Sequence, residues 1–245
     1  MNFTIVTAVS KGYEEKLLLT VPTWKIKPQF ADKPMILFTH GIPNPEKTFG
    51  SIWKDIKIIQ WNMAKYDTIR ELMLSSFVIG TSEYVETSHW IKIDSDTFFT
   101  NDMNIFDASD FNYDLVGNSW GYTRPLSFIQ NLQEWAEFNH IPGNRIEFGQ
   151  PIINPDKPDK TKYKHSRISS FICLHKSDFV REANSYLSDK KLPIPSHDTF
   201  LWYLAERLPN RTWKRKKIKH FGVVTKSKIS IIRSIINSVY IKKQQ

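Results

Sequence analysis

The segment Trp90-Ile91-Lys92-Ile93-Asp94-Ser95-Asp96-Thr97-Phe98-Phe99 holds the residues best suited to chemistry. An apolar run ends abruptly in two carboxylates separated by one serine. Carboxylates that close repel each other in a dry site, and a divalent cation removes the cost. Hard oxygen ligands suit Mg²⁺ or Mn²⁺. A cation held by few protein ligands keeps positions open for phosphates and can neutralise charge developing on a departing diphosphate. Asp and Ser also favour plain turns. Here, however, the pair follows an apolar strand, and ligands of open α/β sheets gather beyond the carboxyl ends of strands.

The elements that must position this pair read as follows. Phe3 to Val9 is a buried first strand, Met35 to Phe38 a second, Ile56 to Ile59 a third and Trp90 to Ile93 a fourth. Asp114 to Gly117 and Ser170 to Leu174 complete the set. A helix is predicted over Glu14 to Leu19, stopping near Pro22, and another over Ala64 to Ile79. A third runs from an N-cap at Ser177 to Tyr186, and a fourth covers His197 to Leu208. The order β-α-β-β-α-β, then β-α and α, predicts an α/β fold with a mostly parallel central sheet flanked by helices. Asn139 to Ser170 is polar, holds four of the thirteen prolines and reads as a long loop, of a length that is usually functional or disordered. Its stretch around Phe148-Gly149-Gln150-Pro151 is a candidate lid that would exclude water from a bound donor.

With 245 residues the chain suits one domain and can bury a large core without staples. Its one cysteine, Cys173, excludes an internal disulfide and a cysteine-based zinc site. Met1 to Val9 lacks the basic start of a signal peptide. No apolar stretch reaches the roughly 20 residues of a membrane span. The expected setting is cytoplasmic, with room for peripheral contact at the inner membrane face. The net charge of +9 is uneven: after Glu206 there is no acidic residue, and twelve Lys and Arg follow. Such an end attracts polyanions, whether nucleic acid, anionic lipid or phosphorylated sugars, or is a solvated basic face. The last stretch, 227–245, is amphipathic, with Ile229, Ile232, Ile235, Ile236, Val239 and Tyr240 on one side. It would dock on residues 1–226 or lie on a membrane surface.

These features together resemble a GT-A-fold glycosyltransferase, whose hallmark is an Asp-x-Asp motif after the fourth strand. The opening strand, a basic residue on the helix before the motif (Arg70), an acid opening a late helix (Ser196-His197-Asp198) and a late histidine (Lys219-His220-Phe221-Gly222) add to the likeness. The spacing from His220 to Gly222 is shorter than the family's usual His-x-x-Gly.

The resemblance implies a role for each residue. Asp94 and Asp96, with His220 as third ligand, would hold Mn²⁺ or Mg²⁺. The neighbouring Lys216, Lys217 and Lys219 would make cation and donor binding mutually dependent. Thr7, Ala8, Val9 and Lys11 would line the nucleotide pocket, with Arg70, Asp94, Ser95 and Lys226 also on the donor. Asp198, or less directly His197, would act on the acceptor: as general base in an inverting enzyme, as a positioning group in a retaining one. Trp120, Gly121 and Tyr122 would form a stacking floor for a sugar or base.

The implied activity is transfer of a sugar from a nucleotide-diphosphate sugar to an acceptor hydroxyl. The acceptor would be a glycan, a lipid-linked sugar, or a hydroxylated base of phage DNA held by Arg211, Lys214, Arg215, Lys216 and Lys217. A nucleotidyltransferase acting on a sugar phosphate is the alternative, although Ser10-Lys11-Gly12-Tyr13 has only one glycine for a phosphate loop. A non-catalytic nucleotide-sugar-binding module is the other, against which stand the acids at 94, 96 and 198.

Overall fold

The computed structural model describes residues 2–62, 65, 68–146, 151–152, 162–187, 196–225 and 228–242; residues 119–129, 151–152, 162–170 and 239–242 are described as backbone only. Strand β1 (Phe3–Ser10) is buried along almost its whole length. It leads into α1 (Glu14–Trp24), which opens with Glu14 and Glu15, where the helix dipole favours acids. Strand β2 (Met35–His40), the short helix α2 (Pro45–Phe49) and β3 (Ile56–Gln60) follow.

Next comes α3 (Ile69–Leu74), started by a capping box in which the Glu71 N–H donates to Thr68 Oγ1 and the Thr68 N–H to Glu71 Oε2. It runs through a π-helical turn (Ser75–Gly80) into α4 (Thr81–Tyr84) and on to β4 (His89–Ile93) and β5 (Thr97–Phe99). The rest of the chain forms β6 (Leu115–Pro125), α5 (Leu126–Phe138), β7 (Pro151–Ile152), β8 (Lys162–Lys176) and α6 (Ser177–Ser185). Helix α7 (His197–Arg207), β9 (Trp213–Arg215), β10 (Phe221–Val223) and α8 (Ile229–Lys242) complete it.

The main sheet has the order β3-β2-β1-β4-β8-β6-β9, with β7 paired to β8. Strands β3, β2, β1 and β4 are mutually parallel. Strand β8 runs antiparallel to both β4 and β6, and β9 is parallel to β6. The sheet is therefore parallel on the side that leads to the acid pair and mixed on the other. A second, two-stranded ribbon pairs β5 with β10.

Because side chains alternate along a strand, each face of the sheet builds its own core. Ile5, Val9, Leu37, Ile91 and Ile93 pack beneath α1 with Leu17, Val21 and Trp24. Val6, Ala8, Phe38 and Trp90 pack against Phe77, Phe179 and the residues of α7. The second face carries Lys92 and Asp94 in the same alternation as Trp90.

Several sequence expectations shift. Helix α1 overruns Pro22 by two residues. Loss of one amide hydrogen there is offset by burial of Trp24, whose Nε1–H donates to the Thr97 carbonyl at 2.7 Å. Ser177 is the first helical residue rather than the cap, and its hydroxyl donates to the Thr87 carbonyl at 2.7 Å. The stretch read as one loop from Asn139 ends early, because β8 begins at Lys162. The C-terminal helix docks on the domain: Ile232 is fully buried, and Ile229, Ile235 and Ile236 pack around Phe98 and Val224.

His40 ties the ends of β1 and β2 to the helical layer. Its Nδ1 lies 3.1 Å from Ser10 Oγ and its Nε2 lies 3.2 Å from Ser76 Oγ. Burial lowers its pKa from 6.5 to about 4. The folded value lies below the unfolded one, so the unfolded chain takes the proton first. The stability this neutral ring contributes is complete above pH 6.5 and is lost as pH falls toward about 4. Between pH 7 and pH 5 the loss should be about 2 kcal/mol. Urea unfolding at both pH values should show a smaller difference in His40→Gln than in the parent; an equal difference would exclude His40 as the source.

Candidate active site

The acid pair sits on a tight turn between β4 and β5. The Asp94 N–H donates to the Phe171 carbonyl, and the Thr97 N–H closes the turn on the Asp94 carbonyl, both at 2.9 Å. Helix α1 clamps one side. Thr20 Oγ1 donates to the Ser95 carbonyl at 2.8 Å, Trp24 holds Thr97, and the Phe99 N–H donates to Thr23 Oγ1 at 3.0 Å. From the other side the Val224 N–H donates to the Asp96 carbonyl at 2.8 Å. The turn is thus fixed through its backbone, and its carboxylates stay available. The side chains of Asp94 and Asp96 keep 28% and 22% of their exposure.

Behind the turn lies a buried ammonium group. Lys92, with its side chain 1% exposed, places Nζ 2.7 Å from Asp94 Oδ1 and 3.5 Å from Asp198 Oδ1. His197 Nε2 lies 2.6 Å from the same Asp198 oxygen. Asp198 stands in the first turn of α7, where the dipole favours an anion. Burial alone would lower the Lys92 pKa, but the Asp198 and Asp94 carboxylates raise it above the ordinary lysine value, so it stays charged. Burial pushes Asp94 up to about 7, against the pull of Lys92 and with the help of its acidic neighbours Asp198 and Asp96. A carboxyl held there gains strongly from a further cation.

These groups open into one cleft of about 340 Å³. Ala8, Ser10 and Tyr13 form one wall, Ile69, Met73 and Phe77 another, and Lys92, Asp94, Ser95, Asp96, His197 and Asp198 the polar end. The structure therefore brings together Ala8, Asp94, Ser95, Asp96, His197 and Asp198 among the residues read from sequence.

It does not bring in the others. Thr7 and Val9 are on the opposite face of β1, with Val9 in the core beneath α1. Lys11 is exposed, and its N–H donates to the His40 carbonyl. Arg70 is exposed, while Ile69 and Met73 are the residues of α3 that reach the cleft. His220 is exposed, with φ of 61°, and its carbonyl accepts from the Thr100 N–H. Since Val224 pairs with Asp96, the antiparallel register puts His220 four residues further along, about 13 Å at the usual strand rise. Trp120, Gly121 and Tyr122 lie in β6, but their side chains are outside the described residues, as are Lys226 and positions 147–150 of the expected lid.

No protein-family model matches the chain, and no curated protein matches it in sequence. Solved structures do match. The galactosyltransferase LgtC, solved with donor and acceptor sugar analogues, aligns with a TM-score of 0.54 over 96% of this chain and 96% of its own. This is the GT-A fold. The mannosyltransferase Ktr4p of S. cerevisiae shares it at a TM-score of 0.52, over 82% of this chain and 62% of its own. Core-mannan synthase A of Aspergillus fumigatus, in a Mn/GDP form, does so at 0.51 over 87% and 72%. Sequence identities of 8%, 13% and 13% carry the fold and nothing finer. In the GT-A frame the Asp94-Ser95-Asp96 turn lies where β4 ends at the cleft.

Sequence reasoning missed Lys92, although a signal was there. A lysine two positions before an acid shares its face on a strand, and a lysine inside an apolar strand needs a buried partner. Tyr13, Met73 and Phe77 carried no signal beyond ordinary core or surface positions.

The α1 clamp can be tested alone. Thr20→Val removes the hydroxyl that holds the Ser95 carbonyl and should cost about 1 kcal/mol of stability. Urea unfolding of Thr20→Val beside the parent measures this, and an unchanged free energy would mean the turn keeps its shape without α1.

Proposed function

We propose that this protein is a metal-dependent glycosyltransferase that moves a sugar from a nucleotide-diphosphate sugar to an acceptor hydroxyl. The observation that carries this reading is the convergence of Asp94, Asp96 and Asp198 on one cleft of a GT-A fold. The donor set fits a hard divalent cation: two part-exposed carboxylates on a rigid turn, one of them raised in pKa by burial. Among the described residues no three His, Cys, Asp or Glu side chains converge to hold a metal by themselves. Asp94 and Asp96 would therefore share Mn²⁺ or Mg²⁺ with the donor's phosphates, without His220. When bound, the cation neutralises charge that builds on the leaving diphosphate.

The chain's own residues do the rest. Asp94 and Asp96 orient the diphosphate end of the donor. Phe77, Met73 and Ile69 give the cleft an apolar wall that keeps water from the reacting carbon. Asp198, held by Lys92 and His197, accepts a hydrogen bond from a sugar hydroxyl at the far side of the acid pair. In an inverting reaction it takes the acceptor's proton; in a retaining one it only orients the sugar. The turn from Ser10 through Gly12 into α1 is short, with the Tyr13 N–H bonded to the Ser10 carbonyl at 3.0 Å, which leaves little space for a nucleotidyltransferase's phosphate loop.

The acceptor is a glycan, a lipid-linked sugar or a nucleic-acid base. A glycan or lipid-linked sugar is favoured, because three of the five basic residues suited to DNA phosphates are spent on internal ion pairs. Arg211 pairs with Asp114 and Glu182, Lys214 with Asp110, and Lys216 with Asp107 and Asp110.

A thermal-shift panel of nucleotide sugars tests the reading. A true donor raises the unfolding midpoint only when Mn²⁺ is present. Asp96→Ala should abolish the shift, whereas Asp198→Asn should keep it and slow transfer by about 10²-fold or more. A shift that survives in Asp96→Ala would remove the acid pair from the donor site.

A further inference from the structure

We propose that Lys92 is a positioning residue that serves as the site's resident counterion, holding Asp94 and Asp198 in place and making cation entry depend on a diphosphate. This rests on the reading of Asp94 and Asp96 as cation ligands.

The geometry is specific. Lys92 Nζ joins two carboxylates from distant parts of the chain, Asp94 directly after β4 and Asp198 at the start of α7. Its side chain is 1% exposed. The Phe77 ring lies 5.2 Å from Nζ, and Lys92 is in register with Cys173 on β8. Cys173 is buried as well, so apolar and neutral neighbours leave the carboxylates as the ammonium's charged partners at the inner end of the cleft. Lys16, the other nearby lysine, is 3.9 Å from Asp96 with 35% of its side chain exposed. Water and salt screen that pair, so it adds little.

Three consequences follow from Coulomb's law. Without a cation, three carboxylates facing one cleft would repel, and Lys92 holds two of them in a fixed arrangement. With a cation arriving alone, the ammonium repels it and already occupies one oxygen of Asp94. With a diphosphate arriving too, the added negative charge outweighs that repulsion. Lys92 therefore lowers the affinity for a bare cation and leaves the affinity for cation plus diphosphate high.

The test is Mn²⁺ binding by electron paramagnetic resonance, with Mn²⁺ alone and with UDP or GDP added. In the parent, either nucleotide that fits should tighten Mn²⁺ binding about ten-fold or more. Lys92→Met keeps the stem and removes the charge; it should bind Mn²⁺ alone about ten-fold more tightly and gain less from the nucleotide. Lys92→Arg keeps the charge and should retain the parent's dependence on nucleotide. A packing role alone would leave Lys92→Met like the parent, so unchanged or weaker binding of Mn²⁺ alone in folded Lys92→Met overturns the inference. Should Lys92→Met not fold, the parent decides: micromolar binding of Mn²⁺ without nucleotide overturns the inference. A parent that takes up no Mn²⁺ under any of these conditions overturns the proposed function instead.

Discussion

An ammonium group removed from water between two carboxylates is the constraint that the rest of the structure respects. Desolvating Lys92 costs several kcal/mol, and only partners in good geometry offset that. Asp94 and Asp198 supply them, at 2.7 and 3.5 Å. Each partner belongs to a different element, so the ion pairs fix the end of β4 against the first turn of α7. Removing both partners would strand a buried charge, at a cost of about 3 to 5 kcal/mol or more. Asp198 is thus more than a residue favoured by the helix dipole. It is the point at which the helical layer is registered on the sheet. The aromatic residues around it follow the same logic. Phe77 packs its ring 4.6 Å from His197 and sits over the ammonium.

The acid turn is built from outside inwards. Thr20, Thr23 and Trp24 hold its backbone from α1, and Val224 holds it from the β5–β10 ribbon. A side chain at Gly222 would crowd that ribbon, because a Cβ there would meet the Phe98 ring at 2.6 Å and force it to shift. Phe98 in turn packs under Ile232 of α8. The C-terminal helix is therefore part of the support of the site, and its Ile229, Ile232, Ile235 and Ile236 are used within the domain. A turn clamped through main-chain atoms can keep two like charges adjacent, and the Lys92 ion pair to Asp94 offsets part of their repulsion.

Much of this was legible in the sequence where local rules decide. The runs that became β1, β2, β3 and β4, the late helix at His197 and the carboxylates of Asp94 and Asp96 all follow from apolar periodicity and from what a strand end presents. Three-residue strands such as β5, β9 and β10 have no periodicity to read. Helix α5 was hidden in an aromatic-rich stretch, although Pro125 directly before it marks a helix start. The first half of β8 is polar, Lys162 to Arg167, and resembles a loop until its pairing with β6 is known. His220 and Lys92 show the limit most clearly. The distance from His220 to Asp96 is set by ribbon register, and the meaning of Lys92 is set by Asp198, far away along the chain. Neither is encoded in the spacing of its own segment.

Charge illustrates the same limit at larger scale. A linear count gives a near-neutral body and a basic end, yet folding pairs much of that end with the body. Asp110 is fully buried and takes both Lys214 and Lys216, whose ammonium groups hold the loop before β6 against β9 and the segment after it. Arg211 is bonded to Asp114 and Glu182 and lies over Phe179, which closes the far edge of the helical layer. Among the described residues, Arg233 on α8 is exposed, as are Arg215, Lys217 and Lys219, beside His220 in sequence. That cluster stands at the end of β10 remote from Asp96, with the β5–β10 ribbon between it and the cleft. An acceptor held there would have to reach across the ribbon before its hydroxyl met Asp198. On the proposed reading, the groups that would choose an acceptor are those of the cleft itself, where Asp198 is held by Lys92 and His197, rather than the described part of the basic end.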